Sequence, residues 1–164
     1  MESRAKVLGH PIHQMLIPFP LGLLATAVIF DVIHVLSNGT LWATVSFWMI
    51  AAGIVGGLVA APFGTVDWLA IPGGTRAKRV GLLHGAGNVV VLALFAWSWL
   101  MRADVPEAPG TLALVLSGIG FVLAGVTGWL GGELVDRLGV GVDEGAHLDA
   151  PSSLSGRPAS RAAR

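Results

Sequence analysis

Four stretches of this chain are long enough and apolar enough to cross a lipid bilayer, and most other inferences follow from them. A bilayer core about 30 Å thick takes about 20 apolar residues in a helix. The stretches cover about 16–36, 41–63, 80–101 and 111–130. Within them only Asp31, His34 and His84 are ionisable. The runs are too long for strands, and their all-round apolar character does not suit amphipathic surface helices. Composition agrees. Charged residues make up 12% of the chain, against about 25% in an ordinary soluble domain, too few to cover a water-facing surface. The expected fold is all-α: a four-transmembrane-helix bundle over residues 1–142, with short loops joining antiparallel neighbours.

The breaks between spans are sharp. Ser37-Asn38-Gly39-Thr40 reads as a tight turn, with Thr40 as the cap of the second helix. Pro62 and Gly64 are expected to end that helix, and Pro72-Gly73-Gly74 to form a loop. Pro106 and Pro109 lie in the last connection. Pro18 and Pro20 suit the first turn of helix one, where a missing N–H does no harm. The first span is too long for a signal peptide and is followed at once by a second. From about Asp143 the chain becomes rich in Ser, Pro, Ala and Arg, so residues 143–164 are expected to be a disordered tail carrying a solvated His147.

Lys and Arg placement gives an orientation. Arg4 and Lys6 precede the first span, Arg76, Lys78 and Arg79 fill the second connection, and Arg137 follows the fourth span. Arg102 alone falls on the other face. The positive-inside rule then puts both termini and the second connection in the cytoplasm. Net charge is zero, which gives no reason to expect a nucleic-acid partner. The absence of cysteine excludes disulfides, thiolate metal sites, a thiol nucleophile and cysteine-attached haem in this chain. Tyrosine is absent too.

Glycines at four-residue spacing, Gly53 with Gly57, Gly81 with Gly85 and Gly128 with Gly132, suit close helix packing, or reflect how common glycine is in membrane helices. Trp42, Trp68, Trp97, Trp99 and Trp129 sit near span ends, as in an aromatic belt. Trp48 is deeper and is expected to pack in the core.

The topology gathers polar residues at one end of the bundle. His10 and His13 precede helix one, Asp67 follows helix two, His84 lies about one turn into helix three, and Glu133 follows helix four. Asn88 shares a helical face with His84. Ionisable groups at membrane depth are costly and face the bundle interior. Imidazole ligates transition metals or haem iron, or relays protons near neutral pH. His13 and His84, with Asn88 beside them, suit a b-type haem between helices one and three. His10, His13, His84, Asp67 and Glu133 instead suit a divalent metal. The bland alternative gives His84 one hydrogen bond to a backbone carbonyl of a neighbouring helix. Asp31 and His34, three residues apart near the other end of helix one, are expected to pair. No Walker lysine follows the glycine-rich pieces, so they are not phosphate loops.

The run from Gly9 to Gly22, GHPIHQMLIPFPLG, resembles the opening motif of the DUF2231 family of bacterial predicted membrane proteins. Phe30-Asp31, the Pro62…Gly64…Asp67-Trp68 turn, Arg79…His84…Asn88, and Gly131-Gly132-Glu133-Leu134-Val135 followed by Gly139-Val140-Gly141-Val142 extend the likeness over roughly 7–142. Gln14 stands where the family usually has proline. The resemblance implies a four-helix domain in a bacterial plasma membrane. Some relatives carry Rieske-type or cytochrome-like domains, which implies membrane electron transfer, but no such domain is present here. Three functions follow as expectations: a haem- or metal-binding redox subunit working with a redox partner, a non-catalytic scaffold or partner subunit, and a homo-oligomeric transporter or channel. The third has least support, since no span carries a polar stripe along its length.

Overall fold

The computed structural model describes residues 1–159. A two-residue β-bridge opens the chain, β1 (Lys6–Val7) antiparallel to β2 (His10–Pro11). Helix α1 (Ile12–Leu16) runs into α2 (Pro18–Ser37), and together they form the first span. Helices α3 (Thr40–Ala70), α4 (Arg76–Leu100) and α5 (Thr111–Gly132) supply the others, α5 continuing as a π turn over Glu133–Arg137. Among the described residues, then, four helical segments are long and apolar enough to cross a membrane.

Helix α2 packs along α3 and α4 along α5, while α3 meets α4 and α2 meets α5, closing a four-helix bundle. Its apolar centre is Leu24, Ala27, Ile50, Val91 and Phe95. The large apolar side chains that remain exposed, Leu58, Val89, Val122 and Trp129 among them, lie on the outside of the helices, where lipid is the solvent.

Local chemistry explains the ends. Pro18 occupies the first position of α2, where its missing N–H costs nothing. Asn38 takes the left-handed conformation, φ 55°, that closes α2. The cap of α3 is Gly39, not Thr40, which is already the first helical residue. Thr75 caps α4, its Oγ1 accepting from the Lys78 N–H at 3.1 Å. The Lys78 ammonium donates to the Trp68 carbonyl at 2.7 Å and lies 4.2 Å from the Trp68 ring centroid, so a cation meets the negative end of α3.

Several sequence expectations change here. Helix α3 does not stop near Pro62 but runs through it to Ala70. Proline removes one donor and leaves the rest of the ladder able to continue with a kink. At 31 residues α3 is about 46 Å long, more than a hydrocarbon core about 30 Å thick requires, and Asp67 lies in its last turn. Trp48 is 64% exposed and faces outward, its ring edge-on to Phe47. Of the glycine pairs, only Gly53 and Gly57 both lie at a helix contact, against Leu24 and Leu92. Gly81 meets Trp68, but Gly85, Gly128 and Gly132 face open space. Residues 143–159, expected to be a disordered tail, fold back over the N-terminal segment. Asp143 pairs with Lys6 at 2.5 Å and Ser153 Oγ donates to the Leu8 carbonyl at 3.0 Å. The remaining tail residues, 160–164, lie outside the described residues.

Candidate functional site

Two polar layers sit at opposite ends of the apolar centre. The first is built around a histidine pair. His13, on α1, directs Nδ1 at the Ala60 carbonyl of α3 at 3.0 Å. His84, on α4, directs Nδ1 at the Thr127 carbonyl of α5 at 2.8 Å. A carbonyl only accepts, so each Nδ1 carries a proton, and the Asn88 side-chain nitrogen lies 3.3 Å from His84 Nε2. The ring centroids are 6.4 Å apart with the planes at 89°. Asn88 lies one turn beyond His84, and its amide donates to the His84 carbonyl at 2.9 Å. Thr127 Oγ1 donates to Asn88 Oδ1 at 3.0 Å, tying α4 to α5 beside the imidazole. Small residues make room: a Cβ on Gly64 would meet the His13 ring at 2.8 Å, and one on Gly131 would meet the His84 ring at 3.1 Å.

The other residues expected to join this cluster have different partners. Asp67 accepts from Ser3 Oγ at 2.8 Å, the Arg4 N–H at 2.7 Å and the Ala5 N–H at 3.3 Å. Glu133 pairs with Arg76 at 2.6 Å. His10 is exposed on β2. Among the described residues no three His, Cys, Asp or Glu side chains gather into a metal-holding group. The five-residue metal cluster is therefore corrected to two histidines and their hydrogen-bonding neighbours. Each carboxylate has its own donors: Ser3 and the Arg4 and Ala5 backbone for Asp67, and the Arg76 guanidinium for Glu133.

Around this end, Lys6 bridges Glu2 at 2.8 Å and Asp143. The hydrogen bond to Asp143, then that to Glu2, holds the Lys6 ammonium above its ordinary range. The bond from Lys6, then the one from the Glu144 N–H, holds the Glu2 carboxyl below its own.

The second layer joins residues far apart in sequence. Arg102, just past α4, is 1% exposed and grips Asp31 of α2 in a two-pronged pair, Nη1 to Oδ1 at 2.6 Å and Nη2 to Oδ2 at 2.8 Å. Ser46 of α3, Ser98 of α4 and Ser117 of α5 surround the guanidinium, and Ser117 Oγ also donates to Asp31 at 2.9 Å. All four spans thus contribute to one buried network. The expected Asp31–His34 pair is not formed: His34 Nδ1 donates to the Gly39 carbonyl at 3.1 Å, while Asp31 takes the stronger, forked donor. The available signal was a lone carboxylate in the first span and a lone arginine at the matching end of the third.

A family profile described as "Predicted membrane protein (DUF2231)" matches residues 9–144. The chain belongs to this DUF2231 family. No curated protein and no solved structure matches it. In this DUF2231 chain the matched region spans both polar layers, from His10 to Arg102 and on to Thr127.

Proposed function

We propose that the chain is a small membrane redox subunit in which His13 and His84 hold one haem iron between the first and third spans. One observation carries the reading: two imidazoles with ring centroids 6.4 Å apart, each fixed through Nδ1 by a backbone carbonyl, with the Asn88 amide nitrogen 3.3 Å from His84 Nε2. A second partner on the other nitrogen is what orients ligating histidines and fixes their tautomer. Two imidazoles with no third side-chain ligand beside them among the described residues would suit haem iron better than zinc or non-haem iron, which take three or four protein ligands. When bound, the haem would supply one-electron transfer. The residues' own part is to hold the rings: the Ala60 and Thr127 carbonyls accept from them, Asn88 lies against His84, and Gly64 and Gly131 let the backbone approach them closely.

The proposed setting is a bacterial plasma membrane with both termini in the cytoplasm. The Lys and Arg count supports it, and burial of Arg102 against Asp31 strengthens it, since the opposite face then presents no free cation among the described residues.

The scaffold reading draws on one observation: every His13 and His84 bond is one that a purely structural histidine would also make. The test is the visible spectrum of purified protein, oxidised and dithionite-reduced, with elemental analysis of the same sample and after haem reconstitution. A Soret band with sharp reduced bands, lost in His13→Ala and His84→Ala, is the expected result. Stoichiometric metal without a Soret band would move the assignment to a non-haem ion. A colourless, metal-free, folded protein that takes up no haem would leave the scaffold.

A further inference from the structure

We infer that Asp67 is a clasp that seals the histidine pair from the aqueous side, by holding the Ser3–Ala5 segment across the end of the bundle. The inference names how access to the pair is controlled, and so rests on the reading of His13 and His84 as the working site.

Three residues on one face of α3 carry the argument. Ala60, Gly64 and Asp67 are spaced i, i+4, i+7, so their side chains stack along the helix toward its C-terminus. The Ala60 carbonyl holds His13 Nδ1, and Gly64 lies against the His13 ring. Asp67, the next residue on that face, holds Ser3 Oγ and the Arg4 and Ala5 N–H groups. The Ser3–Ala5 segment therefore lies about one turn beyond His13, nearer the end of the bundle. Its other side is fastened too: the Ile12 N–H donates to the Ala5 carbonyl at 2.9 Å, one residue from His13. Ser3 is 6% exposed, so the segment is packed down rather than laid on the surface.

The position of Asp67 does not serve α3 itself. A carboxylate in the last turn of a helix opposes the helix dipole. What it gains is three converging donors, two of them successive backbone N–H groups, the arrangement that forms an anion-binding concavity. An apolar side chain at 67 would leave the Arg4 N–H without this acceptor and reduce Ser3 Oγ and the Ala5 N–H to their bonds with each other's residue.

The test is the rate of histidine acylation by diethyl pyrocarbonate, read residue by residue by mass spectrometry on the full chain in detergent. Exposed His10 reports reagent activity, and His34, at the opposite end, reports general unfolding. In the wild type His13 should react far more slowly than His10. Asp67→Ala should speed His13 by about tenfold or more, the effect of losing charge-assisted hydrogen bonds, with His34 unchanged. Adding formate to Asp67→Ala should slow His13 again by refilling the concavity. Ser3→Ala keeps the carboxylate and removes one donor, and should give a smaller increase, so the inference remains testable if Asp67→Ala does not fold. An unchanged His13 rate in Asp67→Ala, or in Ser3→Ala where Asp67→Ala is unfolded, would overturn the clasp. The readout needs no cofactor: a protein that binds neither haem nor metal yet opens at His13 in Asp67→Ala would cost the redox reading and keep the clasp.

Discussion

A charge at membrane depth has to be neutralised where it stands, because no water is available to do it. Asp31 and Arg102 meet this condition with a forked pair whose side chains are 5% and 0% exposed, and three serines and the Ala113 carbonyl add further bonds, leaving the buried Arg102 Nε as the one guanidinium nitrogen without a partner among the described residues. Removing one partner leaves the other charge buried and unpaired, which costs about 3–5 kcal/mol. Replacing both with uncharged residues removes the two charges together and should cost far less. Asp31→Asn and Arg102→Met are each expected to be strongly destabilising, with the double variant well short of their sum. Unfolding by denaturing detergent, followed by circular dichroism on all four proteins, measures the coupling, and simple additivity would show that the pair contributes no specific interaction. This network also marks the limit of sequence reading at the residue scale. Asp31 was legible as a costly intramembrane carboxylate, but helical spacing offered His34, three residues away, while its partner lies 71 residues away. The histidine layer was read better: His13, His84 and Asn88 come together because helix order alone places them at one end.

Among the elements, the four spans were legible because hydrophobic length is a property of sequence, whereas their ends depend on neighbours. Helix α3 continues past Pro62 where its last turns find partners: Asp67 in the N-terminal segment, and the Trp68 carbonyl and ring in Lys78. None of these is visible from a proline and a glycine read in isolation. The glycines make the same point. Equal spacing predicted equal roles, but contact depends on which face of each helix meets another. Gly64 is a close-approach position, where a Cβ would stand 2.8 Å from the His13 ring, while Gly85, also inside a span, faces open space. Gly64→Ala should therefore push His13 away from Ala60 and cost about 1–3 kcal/mol as overpacking. Gly85→Ala should be neutral or gain up to about 1 kcal/mol from the better helix former. The same detergent-unfolding measurement compares them, and equal behaviour of the two variants would mean that α3 does not pack this closely on α1.

At the scale of the whole molecule the bundle is polar at both ends and apolar between them. Leu24, Ala27, Ile50, Val91 and Phe95 separate the histidine layer from the Asp31–Arg102 layer, which argues against an aqueous path through a single copy. The two ends also differ in charge. The end bearing the histidines carries Arg4, Lys6, Arg76, Lys78, Arg79 and Arg137, while the other exposes Asp104 and Glu107 and buries its one arginine. Insertion follows Lys and Arg in short loops, with acidic residues counting little, so this asymmetry favours placing the histidine end in the cytoplasm. The chain contains no cysteine, which makes the orientation directly measurable. A single cysteine placed at Asp104 should be labelled by a membrane-impermeant maleimide in intact spheroplasts. One placed at Arg79 should be labelled only after permeabilisation. The reverse pattern would invert the molecule and put the Asp67 clasp and the histidine pair on the outer face, where an electron donor or acceptor would have to be extracytoplasmic. Labelling of both sites in intact cells would mean a mixed topology, which the six-to-one distribution of Lys and Arg around the spans does not favour.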